Sequence, residues 1–164
     1  MNFDELMKSG ANGKDLVVPS SWGQGRASFG GVVAALVFDR MASVVAPGRP
    51  MRSMQVSFVG PVTPDEPATV EAEILREGKA VSQVLGRIVQ GGESKLVALA
   101  SFGSDRESDV SVDAAPAPEA KPVEQCHGLD FIEGVTPEFI QHIEMRWAFG
   151  NLPFSGKGGR ELGG

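Results

Sequence analysis

The first half of the chain contains one long apolar stretch, residues 28–45. Apolar side chains recur there every three or four positions, which is the spacing of one helical face. Small apolar residues fill much of the remainder, and the polar residues Asp39, Arg40 and Ser43 all fall in its second half. A helix that is apolar on nearly every side is buried in a core. The pattern therefore predicts a buried helix that ends before Pro47.

The start of this predicted helix is unusual because two glycines, Gly30 and Gly31, follow the residue expected to cap it. Ser28 is a good N-cap, since its hydroxyl can accept a hydrogen bond from an amide of the first turn. Each glycine costs the helix about 1 kcal/mol relative to alanine. Two explanations stay open: a neighbouring backbone approaches closely, or the first amides are left bare to hold a ligand oxygen at the positive helix end.

Four segments with alternating apolar and polar residues follow the helix. They are Met51–Val59, Thr69–Arg76, Ala80–Gln90 and Lys95–Phe102. Such alternation is typical of antiparallel strands with one face in the core and the other in water. Gly78 and the pair Gly91-Gly92 are predicted to supply the backbone angles of two tight hairpins. One apolar helix and one half-polar sheet predict an α+β fold in which the sheet curls around one long central helix.

The residues before the helix predict smaller elements. Residues 1–14 are expected to form a short helix or an irregular arm, and residues 16–18 are a short strand candidate. Residues 20–27 form a loop punctuated by glycine. In that loop we interpret Trp22 as a packing anchor over the helix start, and Arg26 as a brace of the loop rather than a ligand group.

The composition changes abruptly after the fourth alternating segment. Residues 104–122 are rich in Ser, Asp, Ala and Pro and are predicted to be a linker. Residues 139–149 alternate again and predict one strand with a large aromatic face, which needs partners of its own. The expected organisation is a domain over residues 1–103, the linker, and the beginning of a second, incomplete domain over residues 123–164.

Charge and composition argue against several classes of function. A net charge of −6 argues against a nucleic-acid binder, which normally shows a basic face. The single cysteine, Cys126, excludes a disulfide framework within the chain. The first residues lack the apolar core of a signal peptide, and no apolar run reaches membrane length. We therefore expect a cytoplasmic protein without a membrane or nucleic-acid partner.

Motifs for other chemistries are missing from the sequence. It contains no phosphate-binding loop, zinc-ligand spacing or serine-hydrolase elbow, so no metal is expected. Cys126 and His127 are adjacent, and adjacent residues rarely form a pair of nucleophile and base. Catalysis by this pair is therefore not expected.

Four motifs occur in order at spacings that resemble a known family. They are Ser21–Arg26 followed by Phe29–Gly31, Met51–Pro61, Leu75–Lys79 followed by Val81-Ser82, and Leu99–Phe102. Together they resemble the hotdog fold and, more narrowly, the N-terminal repeat of the TesB-like (thioesterase II) double-hotdog acyl-CoA thioesterases. The resemblance covers residues 15–103 well. It extends loosely to residues 135–156, which look like the opening of the second repeat.

The resemblance implies an acyl-CoA substrate, with coenzyme A present as part of the substrate and no other cofactor. The substrate-binding residues that it implies are Ser28, Phe29, Gly30, Gly31 and Lys79. The last of these stands with Arg76 and Arg87 near a hairpin, where the three cations could meet the phosphates of coenzyme A. Ordinary surface charge is the alternative interpretation for these three residues.

The resemblance leaves the catalytic residues unknown. In this family an Asp, a Ser or Thr and a Gln lie mainly in the second repeat, so a truncated form with little activity of its own is expected. Single-hotdog thioesterases often have a His before the Gly-Gly pair, where this chain has Phe29, and a carboxylate further along the helix. Asp39 lies about one residue later than expected, which rotates it by about 100°. Asp39 is thus a weak catalytic candidate, with an exposed carboxylate beside Arg40 as the alternative.

Two further functions are weighed against thioester hydrolysis. A non-catalytic module that binds acyl thioesters or dimerises stays open. A hotdog hydratase needs a His and an Asp facing the pocket, and neither histidine lies within residues 15–103. A homo-oligomer that associates through the edges of the hotdog sheet is also expected.

Overall fold

The computed structural model of the protein describes residues 1–117, 119–151, 156 and 162–163. The chain divides into two units, Met1–Glu107 and Ser108–Gly164, which are described separately. The helices and strands of the first unit are α1 (Phe3–Gly10), β1 (Leu16–Val17), β2 (Gly23–Gln24), β3 (Ala27–Ser28), α2 (Gly30–Ser43), β4 (Met51–Phe58), β5 (Pro67–Glu77), β6 (Val81–Gln90) and β7 (Glu93–Gly103).

Five of these strands form one antiparallel sheet in the order β1-β5-β6-β7-β4. One face of the sheet is buried, as β6 shows most clearly, since every second residue from Ser82 to Gln90 is buried. The helix α2 packs on this sheet with Val33, Val37 and Met41 among its buried residues. Strand β4 is an edge strand, because it pairs only with β7.

The close packing of α2 on the sheet requires a glycine in the middle of β6. A Cβ atom on Gly86 would lie 2.6 Å from both the Sδ atom of Met41 and a methyl carbon of Val37. No real side chain tolerates such distances, so the helix can approach the sheet only where β6 lacks a side chain.

The predicted α+β class, the long helix and the four antiparallel strands are confirmed, with boundaries that differ by a few residues. The predicted hairpin at Gly91-Gly92 is also confirmed, since these residues have φ of 62° and 80°. The predicted role of Gly78 is wrong, because its φ is not positive. That turn is closed instead by the Gly78 amide, which donates to the Val81 carbonyl at 2.8 Å.

The loop before α2 is a small hairpin preceded by a single 3-10 turn, Ser20–Trp22. Strands β2 and β3 pair antiparallel, and the positive φ of Gly25, 64°, allows the two-residue turn between them. The Trp22 side chain is buried, and its ring centroid lies 6.0 Å from that of Phe3 in α1. The interpretation of Trp22 as a buried packing anchor is therefore confirmed, although the contact of its ring with Phe3 is to α1 rather than to the start of α2.

The second unit has short elements. They are the 3-10 turns Val123–Gln125 and Glu138–His142 and the strands β8 (His127–Leu129), β9 (Met145–Trp147), β10 (Phe149–Gly150) and β11 (Leu162–Gly163). Residues 104–117 and 119–122 contain no helix or strand. Most of the glycine-rich run after Asn151 lies outside the described residues.

The prediction of one strand over residues 139–149 is wrong. Pro137 starts a 3-10 turn there, in which the Ile140 amide donates to the Pro137 carbonyl at 3.1 Å. Alternation over a few residues does not exclude such a turn, and only local hydrogen bonding decides between the two. The parts that do become strands have partners. Strand β9 pairs with β8, and Phe149, the first residue of β10, pairs with β11. No helix in the described part of the chain is long and apolar enough to cross a membrane.

Candidate functional site

The helix α2 begins two residues later than predicted, and Ser28 does not cap it. Ser28 belongs to β3, and its amide donates to the Val62 carbonyl at 2.8 Å. The capping position is Phe29, which has no capping side-chain hydrogen bond. Pairing in the hairpin holds Ser28 in an extended conformation, and the prediction of a Ser28 cap is therefore wrong. The first amides of α2 have no partner within the helix.

A cavity of about 380 Å³ lies at this helix start. We call it the α2-start cavity; its lining residues are Gln24, Ala27, Ser28, Gly30, Val33, Phe58, Gly60, Pro61 and Val62. Gln24 and Ser28 are the polar side chains in that set, and none of the set is ionisable. The cavity thus combines mostly apolar walls with Ser28 in its lining and the positive end of a helix beside it.

Ser28 carries a buried hydroxyl with no hydrogen-bond partner in the described residues. The side chain is 6% exposed. The other two buried polar side chains in the described part of the chain, Ser82 and Gln90, are both hydrogen-bonded. A buried polar group without a partner costs stability and is rare in native proteins. Among the described residues, the only other buried side-chain nitrogen or oxygen without a partner is Nε of Arg40, which does not line the cavity. The Ser28 hydroxyl is therefore the unsatisfied group at the helix start.

The two glycines at the helix start make room for aromatic rings. A Cβ atom on Gly30 would lie 3.2 Å from the ring of Phe58, and one on Gly31 would lie 2.4 Å from the ring of Phe29. The neighbouring group is therefore a side chain in both cases, and the backbone approach considered from the sequence is wrong. Contact with these rings is enough to explain the two glycines without a ligand. The amides of both glycines nevertheless stay available to one.

The predicted substrate-binding residues fall in two places. Ser28 and Gly30 line the α2-start cavity, with Phe29 and Gly31 beside them in the chain. Lys79 lies in the turn between β5 and β6 and lines another cavity, of about 310 Å³, together with Arg76.

The register of the sheet places these two sites at opposite ends. Phe58 pairs with Leu96, whereas Ser82, close to Lys79, pairs with Phe102. The stretch of β7 between those partners spans roughly 20 Å. The third predicted cation, Arg87, is held by Glu71 at 2.9 Å in a partly exposed ion pair.

The candidate carboxylate Asp39 is exposed on α2 and does not line the α2-start cavity. It lies about 13 Å beyond Gly30 along the helix axis. Its neighbour Arg40 donates a hydrogen bond to the hydroxyl of Ser43 at 3.3 Å. The structure therefore agrees with the interpretation of Asp39 as an exposed carboxylate.

Sequence reasoning misjudged Arg26, which precedes Ala27 of the cavity lining, and missed Phe58, which lines the cavity. Arg26, interpreted as a brace of the loop, is exposed and has no hydrogen bond or ion pair in the described part of the chain, so that interpretation is wrong. In the alternating segment Met51–Val59, Phe58 falls on the apolar face together with Met54 and Val56. Alternation carries no signal that the Phe58 ring reaches the start of α2. Only the arrangement of β4 beside the helix reveals this contact.

A charged pair near the cavity is neutral as a whole. Lys95 donates a hydrogen bond to Glu93 at 2.6 Å, and this bond and the lysine charge hold the pKa of Glu93 below its ordinary value of 4.5. The stem of Lys95 runs 3.5 Å from the position of a Cβ on Gly60. Because the pair compensates its own charge, it leaves the positive helix end as the main electrostatic feature of the cavity.

The second unit contains a larger cavity, of about 740 Å³, with His127 and Trp147 in its lining. Cys126 donates weakly to the Pro122 carbonyl at 3.3 Å, and His127 is exposed. No described group of three or more His, Cys, Asp or Glu side chains is placed to hold a metal ion. Nothing in this cavity resembles the unsatisfied hydroxyl of the first unit, so the α2-start cavity is the better candidate site.

Comparison with protein families gives one match: residues 18–103 match the model of the acyl-CoA thioesterase N-terminal domain. A search of curated proteins found no match. Among solved structures, a protein from Alicyclobacillus acidocaldarius with the hotdog fold is similar, with 23% identity and a TM-score of 0.76. The alignment covers 91% of this chain and 56% of that one. The hotdog fold expected from the sequence is thus confirmed.

Two further solved structures share the fold. A protein from Thermobifida fusca YX, named as a thioesterase II, aligns with 19% identity and a TM-score of 0.69 over 88% of this chain and 53% of its own. The acyl-CoA thioesterase II TesB2 from Mycobacterium marinum aligns with 23% identity and a TM-score of 0.52, over 66% of this chain and 47% of its own. The chain therefore spans about half the length of each of these three structures.

Proposed function

Because the chain belongs to the family of acyl-CoA thioesterase N-terminal domains, we propose that it is the first repeat and the beginning of the second repeat of a TesB-like thioesterase that hydrolyses acyl-CoA. The proposal includes a sheet curled around α2. It also includes a cytoplasmic location, which a chain with one cysteine and no internal disulfide supports. Coenzyme A enters only as part of the substrate.

The observation that carries this proposal is the unsatisfied hydroxyl of Ser28 beside the start of α2. A thioester carbonyl in the α2-start cavity accepts hydrogen bonds from this hydroxyl and from the first helix amides, those of Gly30 and Gly31. These donors stabilise the negative charge that develops on the oxygen when water attacks the carbonyl carbon. The acyl group packs on the apolar side chains of Val33 and Val62.

The attacking water needs a general base, and the α2-start cavity does not contain one. No ionisable side chain lines it, and Asp39 lies on an exposed part of α2. The chain therefore supplies binding and polarisation of the carbonyl but not activation of the water. We therefore expect little turnover by residues 1–164 alone. In this proposal, the catalytic groups belong to the remainder of a double-hotdog enzyme.

Two sites are proposed to contact the phosphates of coenzyme A. Arg26 stands next to Ala27 of the cavity lining and has no partner in the described residues. Lys79, exposed at the far end of the sheet, is the second site, together with Arg76. Because Arg87 is paired with Glu71, we leave it out of the proposed phosphate contacts.

Self-association through the edge of the sheet completes the proposal. Strand β4 has no partner on its outer side in the described chain, and Met51 and Phe58 on it are exposed. The following residue, Val59, is exposed as well. An edge with free backbone groups and exposed apolar side chains favours pairing with another strand. A homo-oligomer that pairs the β4 edges of two copies gives the free backbone groups hydrogen-bond partners and covers the exposed apolar side chains.

The test measures binding and hydrolysis of short, medium and long acyl-CoA by residues 1–164. We expect binding that weakens in Ser28→Ala and in Arg26→Gln, with turnover close to background in all three proteins. Glu73→Gln, an exposed change on β5, is the matched control. Absence of acyl-CoA binding contradicts the proposed substrate. Robust turnover that Asp39→Asn abolishes contradicts the view that the base lies outside this chain.

The second candidate is a non-catalytic module that binds acyl thioesters. The absence of ionisable side chains from the described lining of the α2-start cavity favours it. It predicts binding with no turnover even in the assembled oligomer, whereas the thioesterase predicts turnover once a complete second repeat is present. A fusion of residues 1–164 to a complete second repeat distinguishes the two.

A further inference from the structure

The face of the sheet that is turned away from α2 has an apolar centre and polar sides. Its residues alternate with the buried ones on β6 and β7. We call it the outer face; from β4 through β7 and β6 to β5 its members are Gln55, Leu99, Leu85 and Glu73 on one level of paired residues and Ser57, Val97, Arg87 and Glu71 on the next. A solvated face of an antiparallel sheet is normally polar, yet Leu99 in the centre of this one is 45% exposed.

We propose that the outer face binds the outer face of a second copy of this chain, which is related to the first by a two-fold axis parallel to the strands. An apolar centre inside a polar rim is the usual composition of a protein–protein interface. The contact is separate from the pairing of β4 edges in the proposed function, because it uses side chains of one face rather than free backbone groups. It uses no residue that lines the α2-start cavity.

The two polar sides of the outer face are complementary to each other. The β4 side presents an exposed amide, Gln55, and an exposed hydroxyl, Ser57. The β5 side presents Glu73, an exposed carboxylate without a hydrogen bond or ion pair among the described residues. Its neighbour Glu71 is already paired with Arg87. One copy therefore carries donors on one side and an unpaired acceptor on the other, as a self-complementary surface requires.

The charges select the direction of the two-fold axis. Sheets that pack face to face keep their strands aligned within about 30°, at a separation of about 10 Å. With the axis parallel to the strands, β4 of one copy lies over β5 of the other, so Gln55 meets Glu73 on both sides. Leu99 then packs on Leu85 in the centre. With the axis across the strands, Glu73 lies over Glu73 of the second copy, and the like charges repel each other.

The size of the outer face predicts a weak dimer. Four strands that are about 4.8 Å apart and roughly 20 Å long offer about 400 Å² per copy, or about 800 Å² in the dimer. Stable and specific interfaces bury about 1,200–2,000 Å². We therefore expect a dissociation constant of about 10–100 μM.

Sedimentation equilibrium at protein concentrations from about 5 to about 500 μM measures this association. Leu99→Thr should weaken it at least about tenfold, because two apolar side chains are lost from the centre of each dimer. Threonine suits an exposed position in a strand, so the thermal unfolding of the variant should stay close to that of the parent. A monomer at every concentration, or association that Leu99→Thr leaves unchanged, overturns the proposal.

An exchange of charges tests the direction of the axis. Gln55→Glu places a second carboxylate over Glu73 and should weaken the dimer about tenfold. Glu73→Lys, added to that variant, pairs opposite charges and should return the dissociation constant to within about threefold of the parent. Lys14→Gln lowers the net charge by the same amount at an exposed site between α1 and β1, and it is the control. If Glu73→Lys does not rescue Gln55→Glu, the proposal is wrong.

Cross-linking separates the outer face from the edge of β4. Within one copy, residues 55 and 73 are three strand spacings apart, about 14 Å, which is too far for a disulfide. In a Cys126→Ser background, an oxidised mixture of the Gln55→Cys and Glu73→Cys proteins should therefore give 55–73 links between copies. Pairing of β4 edges gives 55–55 links instead. A lack of 55–73 links in mass spectrometry overturns the proposal, whether or not 55–55 links form.

The result does not depend on the proposed function. Association through the outer face by a protein that does not bind acyl-CoA supports this inference and contradicts the acyl-CoA proposal. Binding of acyl-CoA by a protein that stays monomeric does the reverse.

Discussion

The two ends of the sheet treat their buried serines differently. At the turn between β5 and β6, the Ser82 hydroxyl is fully buried and accepts a hydrogen bond from Arg49 at 2.6 Å. The same guanidinium donates to the carbonyls of Gly78 and Lys79 at 3.0 and 3.1 Å. At the start of α2, the Ser28 hydroxyl is equally inaccessible to water but has no partner.

The difference between the two serines shows that the fold is less stable than it could be at the start of α2. The Arg49 cluster satisfies buried polar groups, which is what folding alone favours. The α2 start leaves the Ser28 hydroxyl without a partner, which costs stability. Four substitutions test this contrast.

The largest effect is expected for Arg49→Met. The change leaves the Ser82 hydroxyl and two carbonyls without their donor, so the free energy of unfolding should fall by about 2–4 kcal/mol. Chemical denaturation measures this value, and Arg76→Met, an exposed change on β5, is the control. Equal stability of the two variants would show that the cluster is not structural.

A smaller loss is expected for Ser82→Ala. Removal of the acceptor leaves one nitrogen of Arg49 without its closest partner, and the free energy of unfolding should fall by about 1–2 kcal/mol. Ser57→Ala, an exposed change on β4, should leave stability within about 0.5 kcal/mol of the parent. If Ser82→Ala changes the free energy of unfolding as little as this control, the contrast between the satisfied Ser82 and the unsatisfied Ser28 has no energetic basis.

For Ser28→Ala we expect no fall in the free energy of unfolding, in contrast to the two substitutions in the Arg49 cluster. The change removes an unsatisfied hydroxyl, so the free energy of unfolding should stay equal or rise by up to about 1 kcal/mol, while ligand binding weakens. Thermal unfolding with and without acyl-CoA checks both parts, and Ser53→Ala, an exposed change on β4, is the control. A clear loss of stability in the free protein would mean that the hydroxyl does have a structural partner.

The smallest effect is expected for the Glu93–Lys95 pair, which is exposed at Glu93. Because the pKa of Glu93 is lowered by its bond to Lys95, the pair contributes stability above the ordinary value of 4.5 and loses it as pH falls through the lowered pKa. The difference between the parent and Glu93→Gln should therefore vanish in acid and shrink in high salt. If the stability difference between the parent and Glu93→Gln grew on acidification, the expected direction of the pH dependence would be wrong.

The second unit shows how far local pattern can mislead. Residues 139–149 alternate over their whole length, yet Pro137 starts a 3-10 turn, and strand pairing is confined to Met145–Trp147 and Phe149. Alternation reports which side chains are apolar. It does not report whether the backbone bonds within the segment or to a neighbouring strand.

The sequence by itself determined the long helix and the four long strands of the first unit, but not the β2–β3 hairpin. An apolar helix followed by four alternating segments requires a half-buried antiparallel sheet, because only that arrangement buries both apolar surfaces. The positive φ of Gly91 and Gly92 was predictable for the same local reason. The motif order also indicated the family, which the match over residues 18–103 shows.

The tertiary structure alone decided the candidate site. Ser28 looks like a helix cap in the sequence, but the β2–β3 hairpin and the bond to Val62 hold it one residue before the cap. Phe58 and Gln90 reach the same region from other strands, across intervals of sequence that carry no signal of the contact. An unsatisfied hydroxyl is the absence of a partner among all neighbours in space, and neighbours in space are set by packing rather than by local pattern.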